Sequence, residues 1–407
     1  MATQVLYISY DGMTDSLGQS QVIPYLKGLS KKGYQFTIIS CEKKENFEQN
    51  KEKIKSVLAA DNIEWHPISY TKQPPVLSTI YDVFRIKELA FSLHQKNNFS
   101  IVHCRSYISS LIGLQLKKKF GVKFIFDMRG LWADERVDGK LWNLKNPVFN
   151  SVYRFFKNKE LDFLQNADYT ISLTFNAADE ILSWKQFKTI PPKTMVIPCC
   201  ADLELFNKSN LDIKQLQTLQ HELKIEKEDF ILLYLGSIGT WYMLDEMMEF
   251  FSILKQKKPK AKFLFVTKDE HERILQCAEK YGINDSIIIR AGNREEVPYL
   301  ISVSDFSVFF ILPSYSKKAS SPTKQGEIMA MGIPVVCNIN VGDTDRIVKE
   351  YNSGVLVNEF TTNAYHVAID KMKFHFNKES IIAGATDYFS LENGVKKYSA
   401  VYKAVLS

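Results

Sequence analysis

The residues best suited to chemistry stand together in Ser321-Pro322-Thr323-Lys324-Gln325-Gly326-Glu327. Ser321 followed by Pro322 reads as a helix N-cap with proline at the first helical position. Gly332 is a natural stop before the next strand. The spacing predicts a helix over 322–331. Lys324 falls in its first turn, and Lys317 and Lys318 lie just upstream with no acid among them. A helix N-terminus is already electropositive, so each cation there is unfavourable by roughly 0.3–1 kcal/mol. A bound anion reverses that sign, because free backbone N–H groups and Lys324 then act on it together. Phosphate suits this chemistry; solvated loop lysines are the plainer alternative. Glu327 shares the helix face of Lys324. Its carboxylate either accepts two hydrogen bonds from a sugar diol or pairs with Lys324 within the helix.

Positioning such a segment takes a scaffold, and the hydrophobic pattern of the 407 residues supplies one. Apolar runs of strand length recur at 4–9, 35–40, 63–68, 100–103, 122–127, 168–173 and 193–198, with helical segments such as 19–32, 78–96 and 147–166 between them. Several runs are apolar nearly throughout, as parallel strands covered on both faces require. A polar, charged stretch over 205–229 follows, and the pattern restarts at 230–236, 261–267, 286–292, 305–312, 333–338 and 353–358. Two βα halves around a hinge predict an α/β protein of two doubly wound, Rossmann-like domains facing a central cleft. Ligands are expected at the carboxyl ends of the strands. The expected divisions are 1–204, 205–388, and a terminal amphipathic helix over 389–407 returning to the N-terminal domain. A net charge of +6 is too mild to argue for nucleic acid. No run is long enough to span a membrane, and no signal peptide is expected. Six cysteines without CxxC spacing predict reduced thiols, and seven scattered histidines make a protein-held metal unexpected.

Four segments carry a resemblance. SSPTKQGEIMAMGIPVV (320–336) resembles the donor-site helix of family 4 retaining glycosyltransferases, which have the two-domain GT-B fold. VIPCCADLELF (196–206) is similar to that family's interdomain segment. YLGSIGTWYMLDEM (234–247) resembles the strand–glycine–helix opening its donor domain, and QVLYISYDGMTDSLGQSQ (4–21) the glycine loop opening its acceptor domain. The resemblance implies that a nucleotide-diphosphate sugar binds mainly to the C-terminal domain. It assigns Glu327 to the nucleotide ribose, and Lys324 with the Ser321, Pro322 and Thr323 backbone to the diphosphate. Gly18 and Gly236, with Ser237 beside it, would pass close to the phosphates; a plain turn glycine accounts for Gly236 equally well.

The sequence also departs from the family. Ala319 stands where the first acid of the Glu-x7-Glu pair belongs, and Ser237 and Trp241-Tyr242-Met243 stand where phosphate-binding cations are common. Lys324, with Arg129 or a lysine at 317–318, is expected to substitute. On the acceptor side, Asp127-Met128-Arg129 follows a buried strand. Arg129 can reach a phosphate and Asp127 can orient or deprotonate an acceptor hydroxyl, or the two form an internal pair. His103 is more readily structural than catalytic; Arg105 and Ser106 beside it are better placed for acceptor contact. Basic and aromatic residues crowd 116–123 and 143–160, where either an anionic membrane surface or plain solvent meets them.

The expectation is therefore a metal-independent, retaining hexosyltransferase needing no cofactor beyond its nucleotide-sugar substrate. Its acceptor would be a glycan or lipid-linked molecule, in cell-surface polysaccharide or glycolipid synthesis. The expected location is cytoplasmic, with a peripheral place on the inner face of the membrane. The alternatives are a catalytically weak nucleotide-sugar-binding or scaffold protein, motivated by Ala319, and a nucleotide-sugar epimerase, which the same fold also hosts.

Overall fold

The computed structural model describes residues 2–373 and 375–407. The chain divides into two compact units, Met1–Pro198 with Leu391–Ser407, and Cys199–Ser390. In the first, the strands are β1 (Thr3–Ser9), β2 (Tyr34–Glu42), β3 (Glu64–Ser69), β4 (Ile101–Arg105), β5 (Lys123–Asp127), β6 (Tyr169–Ser172) and β7 (Thr194–Val196). The helices among them are α1 (Ser16–Gln21), α2 (Ile23–Ser30), α3 (Lys44–Ala59), α4 (Leu77–Asn97), α5 (Ser106–Phe120), α6 (Trp132–Asp138), α7 (Pro147–Asn166) and α8 (Phe175–Ser183). The single helix expected over 19–32 breaks at Val22, whose φ of −128° and ψ of −64° are not helical.

Among the described residues the first sheet runs β3-β2-β1-β4-β5-β6-β7, every pairing parallel. β4 is buried along its whole length and β5 along all but its first residue, so His103, Arg105 and Asp127 are buried with their apolar neighbours. β3 is the exception. It is half exposed and carries Pro67, which an edge strand tolerates because one row of its backbone groups faces no neighbour. Crossovers leading leftward from β1 place α2 and α3 on one face. Those leading rightward from β3 place α4, α5 and α7 side by side on the other, as right-handed connections require.

The second unit holds β8 (Phe230–Leu235), β9 (Ala261–Val266), β10 (Ile287–Arg290), β11 (Phe306–Phe309), β12 (Val335–Asn338) and β13 (Gly354–Val357), in the order β10-β9-β8-β11-β12-β13. Its helices are α9 (Ile213–Glu222), α10 (Leu244–Lys257), α11 (Glu272–Lys280), α12 (Val297–Ser302), α13 (Thr323–Ala330), α14 (Thr344–Glu350), α15 (Thr362–Lys371) and α16 (Lys378–Phe389). The polar stretch 205–229 is not all hinge. Asp212 caps α9 by accepting from the Lys214 and Gln215 amides at 2.7 and 3.0 Å. Residues 199–206 fold with this unit: the Ala201 amide donates to the Phe389 carbonyl at 2.9 Å, and Phe206 is buried.

The closing helix α17 (Leu391–Leu406) belongs to the first unit and packs on α2. The approach is close: a Cβ at Gly28 would stand 2.6 Å from Val395. No helix among the described residues is long and apolar enough to cross a membrane.

Candidate functional site

In both sheets the strand order reverses direction at one place, between β1 and β4 and between β8 and β11. Crossovers leave on opposite faces there, so the loops diverge and open a crevice at the strands' carboxyl ends. The residues singled out from sequence cluster beside these two reversals, and each cluster is built within its own unit.

In the second unit, β8 ends at Leu235 and the chain turns through Gly236, whose φ of +112° suits glycine. The loop then runs back along the end of β11. The Met243 amide donates to the Phe310 carbonyl at 3.0 Å, and the Leu312 amide to the Trp241 carbonyl at 2.8 Å. This pinning sets Trp241 and Tyr242 against the segment that leads into α13. Helix α13 is held from behind, because a Cβ on Gly326 would lie 2.7 Å from the Phe389 ring of α16. It starts one residue later than expected, at Thr323, and Ser321 does not cap it. The Ser321 hydroxyl instead accepts from the Cys199 amide at 3.1 Å, so the helix start has no side-chain cap of its own. Pro322 is the N-cap residue.

Lys324 occupies that first turn. Its Nζ is buried without a hydrogen-bond partner, 3.8 Å from the centre of the Tyr242 ring and 4.6 Å from that of Tyr234. A Cβ on Gly236 would stand 3.0 Å from the same nitrogen. Ring faces attract a cation but give it no full hydrogen bond. Burial therefore dominates and lowers the Lys324 pKa to about 7, with Glu327 opposing. Ser237 belongs to the same arrangement, its carbonyl accepting from the Tyr234 hydroxyl. Lys317 is buried, with Nζ 3.6 Å from the centre of the Trp241 ring, and Lys318 lies over Tyr315. The aromatic residues standing where cations were expected thus cradle lysines brought from another segment.

Glu327 lies one turn on, nearly buried. Arg294 Nη1 donates to its Oε1 at 3.3 Å, and the Arg294 guanidinium rests on Phe206. Burial raises the carboxyl's pKa while Arg294, and then Lys324, oppose it. The partner of Glu327 is thus Arg294 rather than Lys324, which leaves Lys324 without the intrahelical pair that would have made it ordinary. Ala319 is buried and offers no carboxylate. Arg294 and the three rings were missed from sequence; the only available signal was the substitution of aromatics for cations at 241–242.

In the first unit, β4 and β5 pair with Arg105 beside Asp127. Asp127 is 1% exposed and accepts from the Tyr398 hydroxyl of α17 at 3.1 Å. His103 Nε2 lies 3.4 Å from the same oxygen, and the His103 Nδ1 is 2.7 Å from the Tyr402 hydroxyl. Arg129 Nη1 stands 3.8 Å from Asp127 Oδ1. Burial alone would raise the Asp127 pKa, yet Arg129, then His103 and Arg105, outweigh it and hold the carboxyl below its ordinary range. Burial lowers His103, keeping the imidazole neutral despite Asp127. The internal pair is therefore the arrangement the geometry supports. Asp127 and His103 bind α17 to the sheet, and both are buried, at 1% exposure each.

Arg105, 3% exposed, donates through Nε to Asp11 at 3.1 Å. Ser106, with φ of +67°, starts α5 and accepts through its carbonyl from the Ser110 hydroxyl at 2.7 Å. Arg129 also has positive φ, +57°. Gly18 is buried in α1, where a Cβ would meet the Gly12 carbonyl oxygen at 2.2 Å. The close approach that requires glycine there is to the chain's own loop. That loop hangs on Glu42, another residue missed from sequence. Its buried carboxylate accepts from the Met13 amide at 2.8 Å, the Thr14 amide at 3.0 Å, and the Thr14 and Ser40 hydroxyls. Among the described residues, no three His, Cys, Asp or Glu side chains converge as a metal ion would need.

Two family models match the chain. One described as Glycosyltransferase Family 4 covers residues 20–205, and one described as Glycosyl transferases group 1 covers 217–374. No curated sequence relative matches. Solved structures similar over almost the whole chain include sucrose-phosphate synthase from Thermosynechococcus elongatus, at 16% identity and a TM-score of 0.71, covering 99% of both chains. A glycosyltransferase from Rickettsia africae is 18% identical with a TM-score of 0.70, covering 100% of this chain and 99% of its own. Anabaena HepE, solved in complex with UDP and glucose, is 13% identical with a TM-score of 0.68, covering 98% and 99%.

Proposed function

Because this chain belongs to the group 1, family 4 glycosyltransferases of GT-B fold, we propose the following reaction. It moves a hexosyl group from a nucleotide-diphosphate sugar to a glycan or lipid-linked acceptor, with retention of configuration and without a metal ion. Its place would be the cytoplasmic side of the membrane, in cell-surface polysaccharide or glycolipid synthesis. The observation that carries this reading is Lys324, a buried, unpartnered cation at an uncapped helix start beside a strand-order reversal.

As the bond from the sugar to the diphosphate breaks, negative charge grows on the departing phosphate. Positive groups already in place lower that barrier more than groups that must reorganise. Lys324 is held by two rings and a glycine, and the amides of Ser321 and Thr323 add the helix N-terminus. These groups take the part that a bound cation plays elsewhere. Gly236 and Ser237 line the same spot, and Glu327 accepts the ribose hydroxyls while Arg294 favours its ionised form. Arg105, Arg129 and Ser106 serve the acceptor side. No protein nucleophile is assigned.

Thermal shift with UDP-, GDP- and CMP-sugars tests donor binding, since ligand that binds only the folded state raises the melting temperature. One nucleotide class should stabilise the protein, Glu327→Ala should weaken it, and Lys324→Ala should abolish turnover. Full activity in the Lys324 variant would refute the phosphate assignment. The buried Ala319 favours a second reading, a binding protein of weak activity; failure to hydrolyse any bound donor, with or without acceptor, would select it.

A further inference from the structure

Helix α4 buries one face and leaves another with no cover. Ser78, Asp82, Ile86 and Ala90 point inward. Leu77, Ile80, Tyr81 and Phe84, at the i, i+3, i+4, i+7 spacing of one helical face, are each more than half exposed. This is not a loosely attached end. Asp82 accepts from the Tyr10 hydroxyl at 3.0 Å, the Thr71 amide at 3.0 Å and the Thr71 hydroxyl at 2.7 Å, so the first turns are fixed from behind. A contiguous apolar stripe of this kind on a folded surface marks a contact with something other than water.

Charge identifies the contact. α4, α5 and α7 form one layer on the same face of the sheet. Their acids are few: α5 has none, Asp82 and Glu160 are buried, and Asp162 pairs with Lys159 at 2.7 Å, leaving Glu88. Their bases are many and outward. Arg85 and Lys87 flank the stripe, Lys118 and Lys119 close α5, and Arg154 is exposed on α7 beside Phe155. α4 and α7 start at the same end of the sheet, since each follows a strand of the one parallel sheet. Val148 and Phe155 are likewise exposed on α7 of that layer.

We propose that this helix layer docks on an anionic lipid bilayer, with Leu77, Ile80, Tyr81 and Phe84 entering the interfacial region and the surrounding lysines and arginines meeting the headgroups. An apolar helical face bordered by bases is the combination such a surface binds, each part too weak alone. The inference deepens the membrane-side partner of the proposed function but does not rest on donor chemistry. Vesicle binding and nucleotide binding are read separately, so the failure of either leaves the other standing.

The full chain is floated with phosphatidylcholine vesicles, with and without roughly 30% phosphatidylglycerol. Binding is expected only with the anionic lipid and should weaken as salt rises. Leu77→Ser with Phe84→Ser should lower partitioning about tenfold or more, and Arg85→Ala with Lys87→Ala by a similar factor. These positions are exposed or half-exposed, and an unchanged circular-dichroism melt verifies folding. Phe84→Trp gives a second readout, a blue-shifted emission on anionic vesicles. Absence of wild-type binding, equal binding by the serine variant, or a wild-type dimer that the serine variant dissolves would each overturn the proposal.

Discussion

Lys324 combines two properties that rarely coincide, burial and the absence of any hydrogen-bond partner. Its pKa near 7, lowered from 10.5, gives two testable consequences. The unfolded chain keeps its proton to about 10.5 and the unliganded fold releases it near 7. Between those values the native state binds fewer protons, so stability from this residue rises with pH. Lys324→Met should remove that rise, seen as the wild-type minus variant difference in urea midpoint between pH 7 and 10. A diphosphate favours the charged amine, so donor binding above pH 7 takes up a proton. Donor affinity should then fall by up to roughly tenfold per pH unit above 7. Calorimetric titrations in buffers of different ionisation enthalpy would detect the uptake; a flat affinity from pH 7 to 9 would contradict it. Gly236→Ala belongs with these, since a methyl group there meets Lys324 at a backbone φ that disfavours it. It should cost donor affinity even where the fold survives.

At the scale of elements, the loop between β1 and α1 shows how a buried carboxylate shapes backbone. Glu42 sits at the end of β2 and collects two amides and two hydroxyls. An amide side chain would turn an NH2 group toward donors that need an acceptor. Glu42→Gln is therefore expected to destabilise by roughly 1–3 kcal/mol. Urea unfolding measures the loss, and faster hydrogen exchange at 11–18 would localise it. Gly18→Ala should be worse, because the obstructing atom is a backbone carbonyl that cannot rotate away.

At the scale of the whole molecule, the chain leaves its second unit at Ser390 and completes the first with α17. Tyr398 and Tyr402 carry that return, one bonded to a carboxylate and the other to a neutral imidazole. Hydrogen bonds to charged groups contribute more than neutral ones. Tyr398→Phe should therefore lower stability by about 1.5–3 kcal/mol and Tyr402→Phe by about 1 kcal/mol. Denaturant melts comparing the two test the order. Equal losses would mean that Asp127 is not the charged anchor described.

The architecture was largely legible from residues alone. Each apolar run became a strand of a parallel sheet, and the helix expected over 147–166 is α7 with those bounds. Periodicity is a local property, and burial on both faces leaves a continuous apolar record. The chemistry of single residues was less legible. Lys324 and Glu327 announced themselves through their place at a helix start, but the rings around Lys324 come from Tyr234 and Tyr242, some 80–90 residues earlier. Only the adjacency of β8 and β11 brings them together. Asp127 looked equally able to serve catalysis or structure, and His103 leaned to structure, until α17, arriving from the far end of the chain, covered both. Local sequence determined which elements form and where a helix presents charge. Which polar groups stay open and which are sealed depended on contacts between distant segments, because burial is a property of the packed chain.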